Sequence, residues 1–571
     1  MTMRSQSSML PVFLGAAPEL LARAGFSIAA KSRPKDGSSR VRNLFHRADP
    51  SELGPGHAAT PEQQAAVRER LRKLAAHMQH RIWPGGGSRD NPTIPAGYTY
   101  LAQLAAHDLV HTIAPLPRLG EPTDYFARDF RSNRLLLDTI YGGGPMATSL
   151  PFAIDERPWR QRHDLRLGHV PGSEGGFANP HPAPMDDQPA RDIGRAACPH
   201  LQDKPGIGVP DALLADPRND DHLILSQLTA LFHELHNIVY AKLAAAGGGS
   251  GQDDFRSYRL FLEARKVVTL AWRKVIVNDL LRRLLEPAVY AFYSSPQTRY
   301  PDDFLDASDD GRVPVEFSHA AYRFGHVMIR FSYVLNDLRR NGPVPETASI
   351  GEILDRSSSR KPWKVPVACN WLVDWSRFFD LGQRPPQELN FSHRLRPEIG
   401  HGGLASDTFF PNEDAADGGL FFRDLVRGAD AGVRSVASLI AGLRPSDRQR
   451  SQLLADPNFR EHAIGLWLRL GPTHNFSADD ETSLSQDPPL FFFVLFEAAH
   501  EQNGERLGIL GSTIVAEVFF AAIRQSRSTI EDDATLAPAV AAVFGNAVPG
   551  DMPALISFMQ QNGGLKNVTC A

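Results

Sequence analysis

The chain of 571 residues contains only three cysteines, Cys198, Cys369 and Cys570. Three so widely scattered make neither a disulfide framework nor a paired-cysteine metal knuckle, and their scarcity fits a reducing compartment. Basic residues are not in excess: 61 Lys and Arg stand against 65 Asp and Glu, a net charge of −4 with a pI near 6.6. No nucleic-acid partner is expected from that balance. Long hydrophobic runs are missing too. The longest late one, Leu490 to Phe496, is far too short to span a bilayer. The N-terminal apolar stretch is broken by Pro11 and Pro18, with Glu19 close behind, and makes a poor secretory signal. The expectation is a soluble protein without a membrane span, cytoplasmic or exported without a cleavable signal. With 42% hydrophobic residues, wholesale disorder is not expected.

What is present is helical periodicity. Amphipathic patterns cover Thr60–Met78, Tyr98–His111, Asp220–Ala245, Phe255–Glu286, Ser318–Leu335, Phe421–Ala441 and Thr513–Gln525. In the third, Leu223, Gln227, Leu231, Leu235 and Ile238 recur with a period near 3.6, behind Asn219, Asp220 and Asp221 as capping residues. Few stretches alternate with period two, so sheet should be minor. Connectors at roughly 31–57, 153–210, 340–362 and 385–418 are polar and rich in Pro or Gly, and loops of that length are commonly functional or flexible. The expected fold class is mainly α: a weakly structured leader region over 1–60, then one large helical domain over 61–571 with long irregular connectors.

One helix stands out. In IPAGYTYLAQLAAHDLVH, residues 94–111, Gln103, His107 and His111 fall on one face, with Asp108 one step round. Burying such a polar row is costly without partners or a task. A buried histidine is most often simply a core residue. The i, i+4 pair His107 and His111 could also be read as zinc ligands, but no HExxH is present and two histidines do not close a zinc site.

Other segments decide between these readings. They are ADPRNDDHLILSQLTALFHELHN (215–237), VEFSHAAYRFGHVMIRF (315–331), LFFRDLVRGADAG (420–432) and RSNRLLLDTIYGGGP (131–145). Together with YTYLAQ…AHDL they resemble the motifs of the animal-type haem peroxidases, the peroxidase–cyclooxygenase superfamily, and especially its bacterial members. Weaker matches at 263–281, 375–382 and 504–520 extend the resemblance over most of residues 60–525. The motifs are specific together and weak singly.

The resemblance implies a large haem-peroxidase-like helical domain that holds haem. It makes His326 the proximal ligand of the haem iron, with Gly325 letting the chain approach a flat macrocycle. Arg323 would lie near the haem, Asp424 would accept the ligand histidine's N–H, and Arg427 would pair a haem propionate. On the other side His107 would be the distal base, Arg218 the cation that stabilises charge as the peroxide bond breaks, and Gln103 the residue that orders water or a halide. Asp stands at 424 where the family has Asn. As the stronger acceptor it would push the imidazole toward imidazolate character. The implied activity is reduction of hydrogen peroxide and oxidation of small organic donors, or halides, through a ferryl state. No second protein partner and no oligomeric state is implied.

Three departures shape these expectations. Ala106 precedes the distal histidine, so one haem ester is impossible. Asp221 stands at the other ester position, one methylene short of glutamate, and His222 follows it where a sulfonium link would need methionine. With no CxxCH either, non-covalent haem b is expected, and the missing esters argue against a very high potential. The calcium loop is diminished: Asp108 and Asp138 remain, but Leu136 replaces the earlier acid, and a hard cation would rely on these two and on backbone carbonyls. Glu234 replaces the usual arginine before His236–Asn237, with no functional account. Two other activities stay open. A fatty-acid dioxygenase of the same superfamily needs a radical-forming tyrosine three residues before the proximal histidine, and that position is Arg323, with Tyr322 about 100° further round. A haem-binding protein with little turnover would need neither His107 nor Arg218.

Overall fold

Apolar residues spaced for helices dominate the chain, and a computed structural model shows a helical architecture. It describes residues 53–54, 60–80, 88–110, 112–113, 128–129, 134–153, 163–170, 190–197, 210–247, 254–295, 313–339, 344–399, 419–470, 475–545 and 547–566. The principal helices are α1 (Pro61–His80), α2 (Gly97–Leu109), α3 (Leu223–Ala246), α4 (Asp254–Val275), α5 (Gly419–Asp430), α6 (Leu490–Gln502) and α7 (Ile509–Arg524). Among the described residues, strands form five two-stranded antiparallel ladders of two to six residues per strand. Apart from Leu53, Gly54 and Thr60, the leader region lies outside the described residues. Leu53 bridges to Arg434, and the Gly54 N–H donates to Val433 O at 2.8 Å.

The long central helix α3 is buried along most of its length, including all residues from Leu223 to His233. It packs against α2 on one side and α4 on another. The pair α6 and α7 is apolar all round and almost wholly buried. Here the buried Glu497 accepts from the N–H groups of Leu510 (2.7 Å) and Gly511 (3.1 Å). It thus satisfies donors that the first turn of α7 cannot pair internally. The segment before α6 carries no amphipathic period, because every face is covered, and α6 was therefore not legible as a helix.

The expected boundaries shift at three places. The pattern over Ser318–Leu335 is not one helix but a π turn (Glu316–Ala320), a 3-10 segment (Ala321–Met328) and a strand (Ser332–Val334) paired with Thr347–Ser349. From Ile329 to Tyr333 apolar Ile, Phe and Tyr alternate with Arg330 and Ser332, the period of a strand rather than a helix. The expected Phe421–Ala441 helix is divided into α5 and Val436–Gly442, with Gly432 between them at φ +65°. The expected Phe255–Glu286 helix passes through a π segment at Ile276–Leu281. A further correction concerns the cysteines: Cys369 is buried and disulfide-bonded. The other two cysteines, Cys198 and Cys570, lie outside the described residues. A cystine removes the cysteine count as an argument for a reducing compartment. Among the described residues no single helix is long and apolar enough to cross a membrane; one bent pair, Ile509–Arg524 with Arg527–Phe544, meets the length and composition together.

The start of α2 is set by close packing. The Gly97 N–H donates to Phe378 O at 2.8 Å, and a Cβ at Gly97 would lie 2.5 Å from that oxygen and 2.5 Å from Phe379 Cζ. Gly97→Ala should therefore destabilise the fold by about 1–3 kcal/mol, the usual cost of overpacking. Urea unfolding should show a lower midpoint at unchanged slope; an unchanged midpoint would mean that the Phe378–Phe379 segment yields freely.

Candidate functional site

The first cluster forms where the C-terminal end of α2 meets the turn Pro217–Asp220. The buried carboxylate of Asp216 accepts from Arg218 Nε (3.0 Å) and Nη2 (2.7 Å) and caps the turn through the Arg218 N–H (3.1 Å). The guanidinium also donates to the carbonyls of Val110 (2.8 Å) and His107 (3.0 Å). Four of its five N–H groups are thus committed, and the cation is fixed against the backbone of the helix that carries His107.

His107 is itself oriented by a residue that the sequence reading took only as a helix cap. Asn219 Nδ2 donates to the Thr139 carbonyl at 3.2 Å, which fixes the sense of the amide, so Oδ1 is the atom that faces His107 Nδ1 at 2.9 Å. Nδ1 therefore carries the proton and Nε2 the lone pair. Asn219 lies beside Arg218 in sequence, and that adjacency was the one available signal. Gln103, one turn before His107, has its Oε1 2.9 Å from Nε2 of His222.

Asp221, at the end of this turn, is exposed. Desolvation by the protein around it nevertheless pushes its carboxyl up to about 6, with Arg218 and Arg360 opposing and Asp216 and Asp220 reinforcing the shift. His111 lies outside the described residues.

The second cluster is built on the 3-10 segment Ala321–Met328 and α5. Asp424 Oδ2 accepts from His326 Nδ1 at 2.6 Å, and Arg323 Nη1 stands 3.6 Å from the other carboxylate oxygen. The hydrogen bond fixes the His326 tautomer with its lone pair on Nε2, and the ring is 30% accessible. Beside it, a Cβ at Gly325 would meet no atom within 4 Å. Arg427, one turn after Asp424, makes no ion pair among the described residues. His319, also missed by sequence reading, is buried next to Arg323 and Arg427; burial first, and then these two cations, pull it down to about 3. The Tyr322 O–H donates to Ala102 O at 3.2 Å and so ties this segment to α2.

This donor set suits a haem. One histidine is held by a carboxylate with its other nitrogen available, a side-chain-free position adjoins it, and Arg427 stands near for a propionate. The remaining expectation, a divalent cation at Asp108 and Asp138, does not fit. Asp108 accepts from the N–H groups of Leu137 (3.0 Å) and Thr139 (3.4 Å), whereas Asp138 pairs with Arg265 at 2.8 Å. Two loop carbonyls among the described residues are already taken: Arg273 donates to Arg134 O (2.7 Å) and Leu135 O (3.1 Å). Arg273 is itself buried and paired with Glu531 at 2.8 Å. Among the described residues no three His, Cys, Asp or Glu side chains converge. Two guanidinium groups therefore supply the positive charge of this loop.

Removing a partner from a buried ion pair typically costs about 3–5 kcal/mol. Arg273→Ala should accordingly lower stability by roughly that amount, while EDTA should leave the melting temperature of the wild type unchanged. A fall in melting temperature with EDTA that calcium restores would contradict this reading of the loop.

Comparisons with known proteins agree with this geometry. Residues 189–365 match the family model for animal haem peroxidase. Human thyroid peroxidase is 30% identical over 151 residues, which make up 24% of this chain and 15% of that protein's length. Among solved structures, peroxidase A from Dictyostelium discoideum aligns over 88% of this chain and 90% of its own, at 15% identity and a TM-score of 0.54. The fatty acid alpha-dioxygenase of Oryza sativa covers 92% of this chain and 83% of its own, at 12% identity and a TM-score of 0.49. The matched segment, residues 189–365, contains Arg218, Asn219, Asp221, His222, Arg323 and His326, so this part of the chain is similar to the animal haem peroxidases, and its helical fold is similar to that of the Dictyostelium enzyme.

Proposed function

We propose that the protein is a haem peroxidase that reduces hydrogen peroxide and oxidises small organic donors. The observation that carries this reading is the pairing of two differently prepared histidines on segments that touch through Tyr322 and Ala102. His326 is backed by a carboxylate, and His107 by an amide with a fixed arginine at its side. Strong and weak acceptors suit the two tasks. Asp424 makes His326 a more electron-rich ligand, while Asn219 holds His107 correctly turned with its lone pair on Nε2.

In this reading His326 would hold haem b through Nε2, with Arg323 close by, and Arg427 would pair a propionate. Haem, when bound, supplies the iron and the redox chemistry. The chain's own residues handle the proton and the charge. His107 Nε2 takes the proton from one peroxide oxygen and delivers it to the other, which leaves as water. The Arg218 guanidinium stabilises the negative charge that develops on the departing oxygen. Reducing equivalents then come from a small donor; Gln103 keeps halide oxidation within reach. Tyr322 is committed to the Ala102 carbonyl and Arg323 to Asp424 and the Ser318 carbonyl, an arrangement that favours peroxidation over lipid dioxygenation.

His326→Ala should lose most of the haem, read from the Soret band. His107→Ala should keep it and react with peroxide about 10²–10⁴-fold more slowly in stopped flow, the usual worth of general acid–base help. Arg218→Ala should show a comparable loss. Full haem content and activity in the first variant, or wild-type traces in the other two, would contradict the assignment.

Acid–butanone should extract nearly all the haem, since Ala106 cannot form an ester and Asp221 is short. A haem-sized mass increment left on the polypeptide would show that Asp221 bonds it. Asp424→Asn keeps the hydrogen bond to His326 but removes a negative charge, and should raise the ferric/ferrous midpoint potential in a spectroelectrochemical titration. An unmoved potential would mean that the Asp424 charge is already balanced, with Arg323 the nearest cation.

A further inference from the structure

His222 opens the long helix α3 in extended geometry, and its Nδ1 accepts from the Leu225 N–H at 3.3 Å. That backbone contact decides the tautomer: with the lone pair on Nδ1, the proton sits on Nε2. Nε2–H therefore donates to Gln103 Oε1 at 2.9 Å. The ring is buried and lies edge-on to Tyr100, with centroids 5.1 Å apart. Burial is the main reason, and the neighbouring His107 and Arg360 the lesser one, that it is held down to about 3. It is thus neutral throughout the range in which the protein would work, and the contact does not switch off with pH.

A glutamine amide has two unlike ends, one that only accepts and one that only donates. Left alone it can rotate and present either. Here the accepting end is occupied, and the Gln103 NH2 makes no hydrogen bond to protein among the described residues. We propose that His222 is a positioning residue that fixes the Gln103 amide, so that only its N–H donors are left to face a ligand on the His107 side of α2. The inference rests on the peroxidase reading above, in which a ligand-binding iron would lie on that side. A backbone N–H at the start of α3 thereby sets, through two side chains, the polarity of a site on α2. Nothing in the chain's spacing links residues 103 and 222; only the packing of α2 on α3 does.

The test uses the ferric holoprotein with azide, an anion whose far end accepts hydrogen bonds. A single hydrogen bond is worth about 0.5–1.5 kcal/mol, so His222→Phe should weaken azide binding about 2–10-fold. It should also split or broaden the infrared stretch of bound azide as the amide takes both orientations. His222→Gln can donate to Gln103 and accept from Leu225, and should restore a single band and near wild-type affinity. Gln103→Glu, which keeps the acceptor for His222 but loses the donating end, should weaken azide binding by at least the same factor and provides the readout if His222→Phe does not fold. A wild-type protein that takes up no haem overturns the peroxidase reading and this inference with it. A wild-type holoprotein whose azide affinity and band are indifferent to His222→Phe, or to Gln103→Glu where the Phe variant does not fold, overturns the role of His222 alone.

Discussion

The buried carboxylate of Asp216 is the constraint on which the site depends. It is fully shielded from solvent and would be unaffordable uncompensated, yet it holds Arg218 by two side-chain hydrogen bonds. Arg218 in turn holds the carbonyls of His107 and Val110, where α2 runs out of internal donors. One ion pair therefore closes the end of a helix, fixes a cation and keeps that cation in step with the histidine beside it. Loss of the carboxylate would leave a half-buried guanidinium unbalanced and the helix end uncapped together.

Around that pair, polar groups are arranged so that each histidine has one decided tautomer. Asn219 decides it for His107, Leu225 N–H for His222 and Asp424 for His326. The physical logic is common to all three: a fixed partner on Nδ1 determines what Nε2 can do. On His107 and His326 it leaves a lone pair, and on His222 a proton. Residues of the same type, close in space, acquire opposite roles from second partners.

The cation loop shows a different economy. The carbonyls of Arg134 and Leu135 face a guanidinium, and Asp138 is neutralised by another. A protein-borne cation needs no metal supply. The cost is a buried arginine that must itself be balanced, which Glu531 does.

Much of the chemistry was legible in the sequence because it resides in residue types at fixed local spacing. His107 with Gln103 and Asp108, Arg218 before a long helix, and Gly325–His326 each lie within a turn or two of their companions, where helix geometry alone sets the arrangement. The mainly helical class followed from periodicity for the same reason. Asn219, His222, His319 and Arg273 were not legible as parts of a site, nor was α6 as a helix. Their roles arise from contacts between segments remote in sequence: His222 with Gln103, Asn219 with His107 and Thr139, Arg273 with the 134–135 carbonyls. An all-apolar segment such as Leu490–Phe496 likewise carries no period to read. Sequence determined which groups could ligate, take a proton or carry charge. Tertiary structure alone decided which nitrogen of each histidine does so and what balances each buried charge, because a tautomer and an ion pair are properties of a contact, not of a residue.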